Sequence, residues 1–369
     1  MIEKLYVFSN CGHLNELPKS GGQTSARRVM DGLRNSGFEI VPIRRRRTEW
    51  EGKLAHVVEV LWFAIYDLLK IVVKMLFGSR KKSAFMMLSY SGSLVPYEFI
   101  ISFVVKLMGY RSMFYLKGGM VMDYYKKGGV IHRWLFKKTA DMQSKMFFEG
   151  QDSMHIVEKV SNTPCVYFPN YMFDNLIPEE LNERHKDQVN ILYFGRIAPD
   201  KNVHIVIEAF NMLAEKYKDL TLTVIGGKGF YQSYVDKVDN MIRTSPYKER
   251  ITRMGNTPFA EIKEIMQKQH IFVFPSKAKC EGHSNALNEA MSQGLIPVVS
   301  DYHFNRTIVG NDKFVVNSFE ANDYAERIED LMKEDLKSLS IECWQHLRNT
   351  YAYSIVNNRI VDEIKMVRL

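Results

Sequence analysis

Two stretches decide how the chain folds: Ile271-Phe272-Val273-Phe274-Pro275-Ser276, and Glu281-Gly282-His283-Ser284-Asn285-Ala286-Leu287-Asn288-Glu289-Ala290-Met291. Four apolar residues stopped by Pro-Ser read as a buried strand. From Asn285 the pattern is helical, Gly294 ends it, and Ile296 to Val299 forms a second apolar run. Strand, polar loop, helix and strand predict a parallel βαβ unit. Glu281 then sits at the carboxyl end of the first strand and Glu289 on the first turns of the helix, where open α/β sheets bind ligands. A helix beginning at Ser284-Asn285 offers unpaired N–H groups and a positive dipole end to a phosphate. The two glutamates suit sugar hydroxyls, and a sugar nucleotide carries both groups. A capped helix with two solvated acids is the plainer alternative.

Upstream, the same alternation recurs. Ile191-Leu192-Tyr193-Phe194 reads as a strand running into Gly195-Arg196, a loop spans 197–202, and a helix continues through Tyr217. The strand from Leu220 to Ile225 ends in Gly226-Gly227. The first half repeats the scheme less sharply. Leu5-Tyr6-Val7-Phe8 is a strand, Gly21-Gly22 precedes a helix over 23–35, and Phe38-Glu39-Ile40-Val41 starts the next strand. That glycine pair does not meet the three-glycine dinucleotide fingerprint and is weak evidence alone, since a simple turn explains it as well. Further strands are expected at 84–88, 112–116, 145–149 and 166–168, with helices at 96–108 and 131–142. The polar segment 177–187 carries no strand signal and reads as a linker. The expected organisation is therefore α/β, with two doubly wound Rossmann-like domains facing across a cleft. Their limits are 1–176 and 189–345, with a linker at 177–188 and a helical end at 346–369 crossing back to the first domain.

The chain has 369 residues, enough for two cores. It is 46% hydrophobic and 25% charged, a globular balance that argues against disorder. Cys11, Cys165, Cys280 and Cys343 form no Cys-x-x-Cys pair, and the histidines show no ligand spacing, so no metal site is expected. The amino terminus leads into a strand without a signal-like segment, which predicts a cytoplasmic protein. Residues 1–175 hold 25 Lys/Arg against 15 Asp/Glu, whereas the remainder is nearly balanced. Anionic lipid, a diphosphate-bearing acceptor or nucleic acid would each fit a basic first half. Residues 55–77 form an amphipathic pattern with Glu59, Asp67, Lys70 and Lys74 on one helical face, followed by Ser79-Arg80-Lys81-Lys82. Two placements fit: a helix covering the sheet, which is preferred, and a helix lying on an anionic membrane. Arg44-Arg45-Arg46-Arg47 adds weight to the second.

Arg196 follows a strand and Lys201 comes five residues later, just before a helix. Such a pair forms a diphosphate clamp, with a planar fork and a mobile point charge. When a nucleotide sugar loses its sugar, negative charge grows on the leaving diphosphate, and fixed cations beside helix N–H groups lower that barrier without a metal.

Phe194-Gly195-Arg196 with Lys201, Gly226-Gly227, Pro275-Ser276 and Glu281 through Glu289-Ala290 resemble the carboxyl-terminal domain of the large retaining GT-B glycosyltransferase family, of the bacterial polysaccharide and lipopolysaccharide type. The resemblance covers roughly residues 189–310, and Gly21-Gly22 and Pro169-Asn170 are similar to its first-domain motifs. It implies that Arg196 and Lys201 hold the nucleotide diphosphate and that Glu281 faces the transferred sugar. His283, Ser284 and Asn285 would meet sugar and phosphate through their backbone, Glu289 would bind ribose, and Gly21, Gly22, Gly195 and Gly226 would line the donor. Arg253 is a further candidate, near the nucleotide base. The chain departs from the pattern twice: Asn202 stands where glycine usually follows the clamp lysine, and Lys117-Gly118-Gly119 stands where many members carry histidine. Lys117 is thus a candidate for binding a phosphate or a carboxylated sugar, with a lysine in a glycine turn as the plain alternative. His283 is given no base role, because retention lets a leaving-phosphate oxygen take the acceptor proton.

The expected activity is transfer of a sugar from a UDP or GDP sugar to a glycan acceptor, lipid-linked and at the inner membrane face, without cofactor or metal. An anionic membrane surface is a further candidate partner. The rival readings are an epimerase of the same fold and a non-enzymatic protein binding anionic surfaces or nucleic acid through Arg44 to Arg47. Nucleic acid is disfavoured because aromatic-interleaved basic motifs are absent.

Overall fold

A computed structural model describes residues 1–16, 18, 20–46, 53–183, 188–227, 231–279 and 282–367, with the side chains of 53–61 outside the description. Glu281, Lys19, Arg47 and residues 184–187 of the expected linker lie outside the described residues. The chain divides into two compact units, Met1–Asn170 with Val356–Leu369, and Tyr171–Ile355.

The first unit contains β1 (Lys4–Ser9), α1 (Gly21–Asn35), β2 (Glu39–Arg44), α2 (Lys53–Met75), β3 (Ser83–Ser89), α3 (Val95–Leu107), β4 (Arg111–Leu116), α4 (Met120–Lys127), α5 (Val130–Asp141), β5 (Lys145–Phe148), α6 (Gln151–Glu158) and β6 (Cys165–Tyr167). Its six strands are ordered β2-β1-β3-β4-β5-β6 and pair in parallel, with Lys4 opposite both Glu39 and Ser83. β3 is buried on every residue, as a central parallel strand with covered faces must be. From β2 to β6 the chain crosses the sheet in one direction, so right-handed connections place α2, α3, α5 and α6 on one face. One apolar core beneath them joins Ile71 and Met75 of α2, Val105 of α3, Phe136 of α5 and Val157 of α6 to Phe85 and Phe114 of the strands. The β1-to-β2 connection runs the opposite way and carries α1 to the other face.

The second unit contains β7 (Asn190–Phe194), α7 (Val203–Lys216), β8 (Thr221–Ile225), α8 (Gln232–Thr244), β9 (Ile251–Met254), α9 (Phe259–Met266), β10 (Ile271–Phe274), α10 (Asn285–Ser292), β11 (Ile296–Ser300), α11 (Asn305–Val309), β12 (Val315–Val316), α12 (Ala321–Met332) and α13 (Leu336–Tyr351). The strand order is β12-β11-β10-β7-β8-β9, again all parallel. The chain starts at β7, moves outward to β9, then returns to the other side of β7 as β10. The carboxyl ends of β7 and β10 therefore flank the point where strand order reverses, which in such sheets is the ligand crevice. α14 (Tyr353–Lys365) starts in this unit and from Val356 onward belongs to the first. There Asn357 accepts a hydrogen bond from Ser36 at 2.7 Å, and Glu363 pairs with Lys145.

The preferred placement of the 55–77 helix, covering the sheet, is met: Ile71 and Met75 pack into the core. Its charges are drawn to neighbouring elements. Asp67 is buried, accepting from Tyr97 Oη at 3.0 Å and from the Arg46 N–H at 3.2 Å. Lys70 and Lys74 donate to the carbonyls of Arg44 and Pro42 at 3.4 and 2.9 Å. β2 is an edge strand, so its outer carbonyls lack a strand partner, and these lysines satisfy them. Beside the exposed Lys74, the surface turned to solvent carries a row of apolar residues, with Trp62, Ile65, Leu69, Val73 and Leu76 exposed.

Candidate functional site

At the β7–β10 switch point the backbone admits only particular residues. Gly195 has φ +148°. A Cβ on Gly226, just past β8, would lie 2.0 Å from the Gly195 carbonyl oxygen, so both positions require glycine. The loop after β7 is fastened below: Tyr193 Oη donates to the Arg196 carbonyl at 2.8 Å, and the Lys277 N–H donates to the Asp200 carbonyl at 2.8 Å. Asn202 takes the left-handed conformation, φ +51° and ψ +39°, directly before α7. Asparagine tolerates that region better than other residues with a side chain. Its Nδ2 donates to the Pro275 carbonyl at 2.9 Å, tying the β7 loop to the end of β10. Asn202 therefore keeps the left-handed turn that glycine would supply and adds a bond that glycine cannot make.

The loop brings two cations to the strand ends in different states. Arg196 is half exposed, with Asp200 3.9 Å away. Lys201 is only 8% exposed; its Nζ donates to Ser276 Oγ at 3.2 Å and lies 5.0 Å from the centre of the Phe274 ring. Ser276 is held from the end of β11, where Ser300 Oγ donates to its carbonyl at 2.5 Å and Asn305 Nδ2 in turn donates to Ser300 Oγ at 3.2 Å.

α10 begins as the sequence predicts. Ser284 caps it, its hydroxyl accepting from the Leu287 N–H at 3.4 Å. Asn285 and Glu289 lie on its part-exposed face, while Leu287, Asn288, Ala290 and Met291 are buried. His283 is buried; its Nε2 lies 2.9 Å from Asn288 Oδ1, and its ring packs edge-on at 4.6 Å against Tyr351 of α13. Tyr351 Oη in turn donates to the Thr307 carbonyl at 3.1 Å. The imidazole is thus committed to fixing the start of α10, and neither Ser276 nor Tyr351 stood out as a candidate from sequence. Pro-Ser after a strand marks Ser276 weakly, whereas nothing local to Tyr351 signals a contact with His283.

Arg253 lies on β9, with Nε on Asp239 at 2.8 Å and Nη1 on the Gly226 carbonyl at 2.8 Å. It braces the glycine turn after β8, and Asn256 fills the space a Gly227 side chain would need, its Oδ1 standing 1.9 Å from a Cβ built there.

Gly21, Gly22 and Lys117 belong to the first unit. Ser20 caps α1, accepting from the Gln23 N–H at 3.3 Å, so Gly21 and Gly22 are the first residues of that helix. They stand at this sheet's own reversal point, between β1 and β3, and a Cβ on Gly22 would meet Tyr90 Oη at 2.5 Å. Lys117, after β4, is 3% exposed and pairs with Glu149, after β5, at 2.7 Å. Its Nζ also donates to Ser25 of α1 and to Asn170 Oδ1 at 3.4 Å, while Glu149 accepts from the Gly118 N–H at 2.9 Å. Burial pushes the Lys117 pKa down against the pull of Glu149. Sequence placed Glu149 in a strand and gave it no role, since an ion pair spanning 32 positions leaves no local trace. A cavity of about 620 Å³ lies at the opposite, amino ends of β4 and β5, beside Tyr110 and Gln143, away from these groups.

Residues 176–343, less than half of the chain, match the family model for glycosyl transferases group 1. The capsular polysaccharide biosynthesis glycosyltransferase CapM of Staphylococcus aureus is 20% identical over 304 residues, 78% of either chain. Spore coat protein SA of Bacillus subtilis is 26% identical over 152 residues, and the match spans only 40% of that relative's length. Among solved structures, Anabaena Alr3699/HepE in complex with UDP superposes with a TM-score of 0.72 at 13% identity, covering 99% of this chain and 100% of that one. The protein has the GT-B fold, and its sequence match over 176–343 together with that fold supports a glycosyltransferase.

Proposed function

We propose that the protein transfers a sugar from a nucleotide diphosphate sugar to a glycan acceptor, lipid-linked and destined for the cell surface, with retention of anomeric configuration. The observation that carries this is the buried Lys201, seated on Ser276 at the β7–β10 reversal point, with Arg196 on the same loop and the Ser284-capped start of α10 following β10. Lys201 is preorganised, so it spends no reorganisation as charge grows on the leaving diphosphate, and Arg196 adds a fork that closes on it from solvent. The amides at the start of α10 complete the anion site. Glu289 is assigned to the ribose, and Glu281 to the transferred sugar. His283 keeps its structural duty, and the acceptor proton leaves on a phosphate oxygen. UDP is the nucleotide preferred, since HepE binds it in the same fold, and the name of the capsular relative supports a polysaccharide product.

The test is incubation with a panel of UDP and GDP sugars, followed by proton NMR of the released or transferred sugar. The expected result is turnover of one donor class, with the anomeric coupling of the product matching that of the donor and full activity in excess EDTA. An inverted product would refute retention, and loss of activity restored by manganese would refute the metal-free clamp.

A further inference from the structure

The solvent side of α2 is a continuous apolar stripe: Trp62, Ile65, Leu69, Val73 and Leu76 recur every three or four residues and are all exposed, and Phe77 beyond the helix end is 93% exposed. Surface helices of soluble proteins put such stripes on their own core. Here the inward sector is separately filled by Ile71 and Met75, and Asp67, Lys70 and Lys74 are engaged with β2 and Tyr97. The stripe continues onto the neighbouring helices of the same sheet face, as Phe103 and Leu107 of α3 and Ile131 and Trp134 of α5. Packing links these helices, since Phe99 of α3 stands 6.0 Å from the Trp134 ring. Single exposed apolar residues are ordinary, but a patch spread over three adjacent helices marks an interaction surface.

Charge identifies the occupant. Exposed basic residues punctuate the patch: Arg80 and Lys81 after Phe77, Lys106 between Phe103 and Leu107, Lys126 and Lys127 ahead of α5, and Arg133 beside Trp134. Between residues 62 and 140 the acids are Asp67, Glu98 and Asp123, and the first two are buried. A second copy docking through this face would set one basic rim against another, which repels. No helix of the described residues is long and apolar enough to cross a membrane. An apolar helix face rimmed with Lys and Arg is what lies in the interface of an anionic bilayer. We infer that the outer face of α2, α3 and α5 docks the protein onto an anionic lipid surface, with Trp62 and Trp134 entering the boundary between headgroups and acyl chains.

The test is flotation of the full chain with vesicles of phosphatidylglycerol and phosphatidylethanolamine, against vesicles of phosphatidylcholine alone. Three proteins are compared: wild type, Leu69→Ser/Phe77→Ser, and Lys126→Ser/Lys127→Ser. Wild type is expected to partition at least ~10-fold better onto the anionic vesicles, given that each basic residue near such a surface adds to binding. The apolar variant should lose most of that binding at all salt concentrations, and the charge variant should bind more weakly at low salt with a shallower salt dependence than wild type, both with unchanged thermal midpoints. Lipids brominated near the carbonyls should quench tryptophan emission in wild type and not in the apolar variant. Equal partitioning of wild type onto both vesicles, or of both variants and wild type onto the anionic ones, would overturn the inference. So would a concentration-dependent dimer in sedimentation velocity that Leu69→Ser/Phe77→Ser abolishes, which would make a second copy the occupant. None of these readouts depends on glycosyl transfer.

Discussion

α2 and α7 do the same architectural job in their respective sheets, yet their outer faces differ. Each crosses between parallel strands, β2 to β3 and β7 to β8. α7 buries Val203, Val206, Ile207, Phe210 and Leu213 and leaves one large apolar residue, Met212, exposed. α2 buries Asp67, Ile71 and Met75 and shows a row of large apolar residues to solvent. α7 serves only the core, and the site proposed for its unit lies at the strand ends, where Arg196, Lys201 and the start of α10 stand near the reversal of strand order. α2 serves the core with one sector and an outside partner with another. The same sheet-and-helix plan therefore offers two kinds of functional surface, and charge placement decides which is used.

The largest expected effect tests the α7 side of this contrast. Phe210→Ala should cost about 3–5 kcal/mol of stability, because it opens a cavity in a filled core. Urea unfolding followed by circular dichroism would measure it, and a loss below ~1 kcal/mol would mean that α7 is not a core helix in solution. Next, Arg196→Ala should lower donor turnover by roughly 10²–10³-fold, the scale of removing one preorganised charge partner from a transition state. Because Arg196 is half exposed, the thermal midpoint should not move; turnover near that of wild type would remove the clamp.

A pH dependence sharpens the comparison further. Glu98 of α3 is wholly buried, accepting from Ser89 Oγ, from Ser91 Oγ at 2.7 Å and from the Ser91 N–H at 3.1 Å. Burial raises its pKa above the ordinary 4.5 despite those donors, so the folded state holds its proton more tightly than the unfolded chain does. Stability from this group is present below pH ~4.5 and is lost as pH rises from there through the raised value. Asp67 titrates in the same sense, also because of burial. Glu98→Gln should therefore flatten, without abolishing, the decline in denaturation midpoint as pH rises above ~4.5; an unchanged slope would contradict the assignment. Smallest of all, Leu69→Ala should leave stability within about 0.5 kcal/mol, since its side chain contributes little to the core. A loss of 2 kcal/mol or more would show that this face is covered in the free protein.

Much of the second unit was legible in the sequence because its signals are local. The apolar run 271–274, stopped by Pro275-Ser276, and the stretch from Leu220 to Ile225, ended by Gly226-Gly227, marked β10 and β8 to within a residue. Ser284 followed by Asn285 marked the start of α10. The short helices α4, α6, α9 and α11, of five to eight residues, had no period long enough to read. The partners of the charges on α2 were illegible for a different reason. A period of 3.6 shows that charges share a sector, but not that an edge strand with open carbonyls stands beside that sector. The partners of Lys117 were hidden likewise, because Glu149 and Ser25 reach it only once three separate segments have folded. In the candidate site, Asn202 looked like a defect in the motif until its left-handed backbone and its bond to Pro275 showed how it fits.

The most direct test of the central claim is a crystal structure with UDP bound. The diphosphate is expected against Arg196, Lys201 and the backbone amides at Ser284 and Asn285, with Glu289 on the ribose. UDP seated elsewhere, or against Lys117 with the β7–β10 crevice empty, would contradict it.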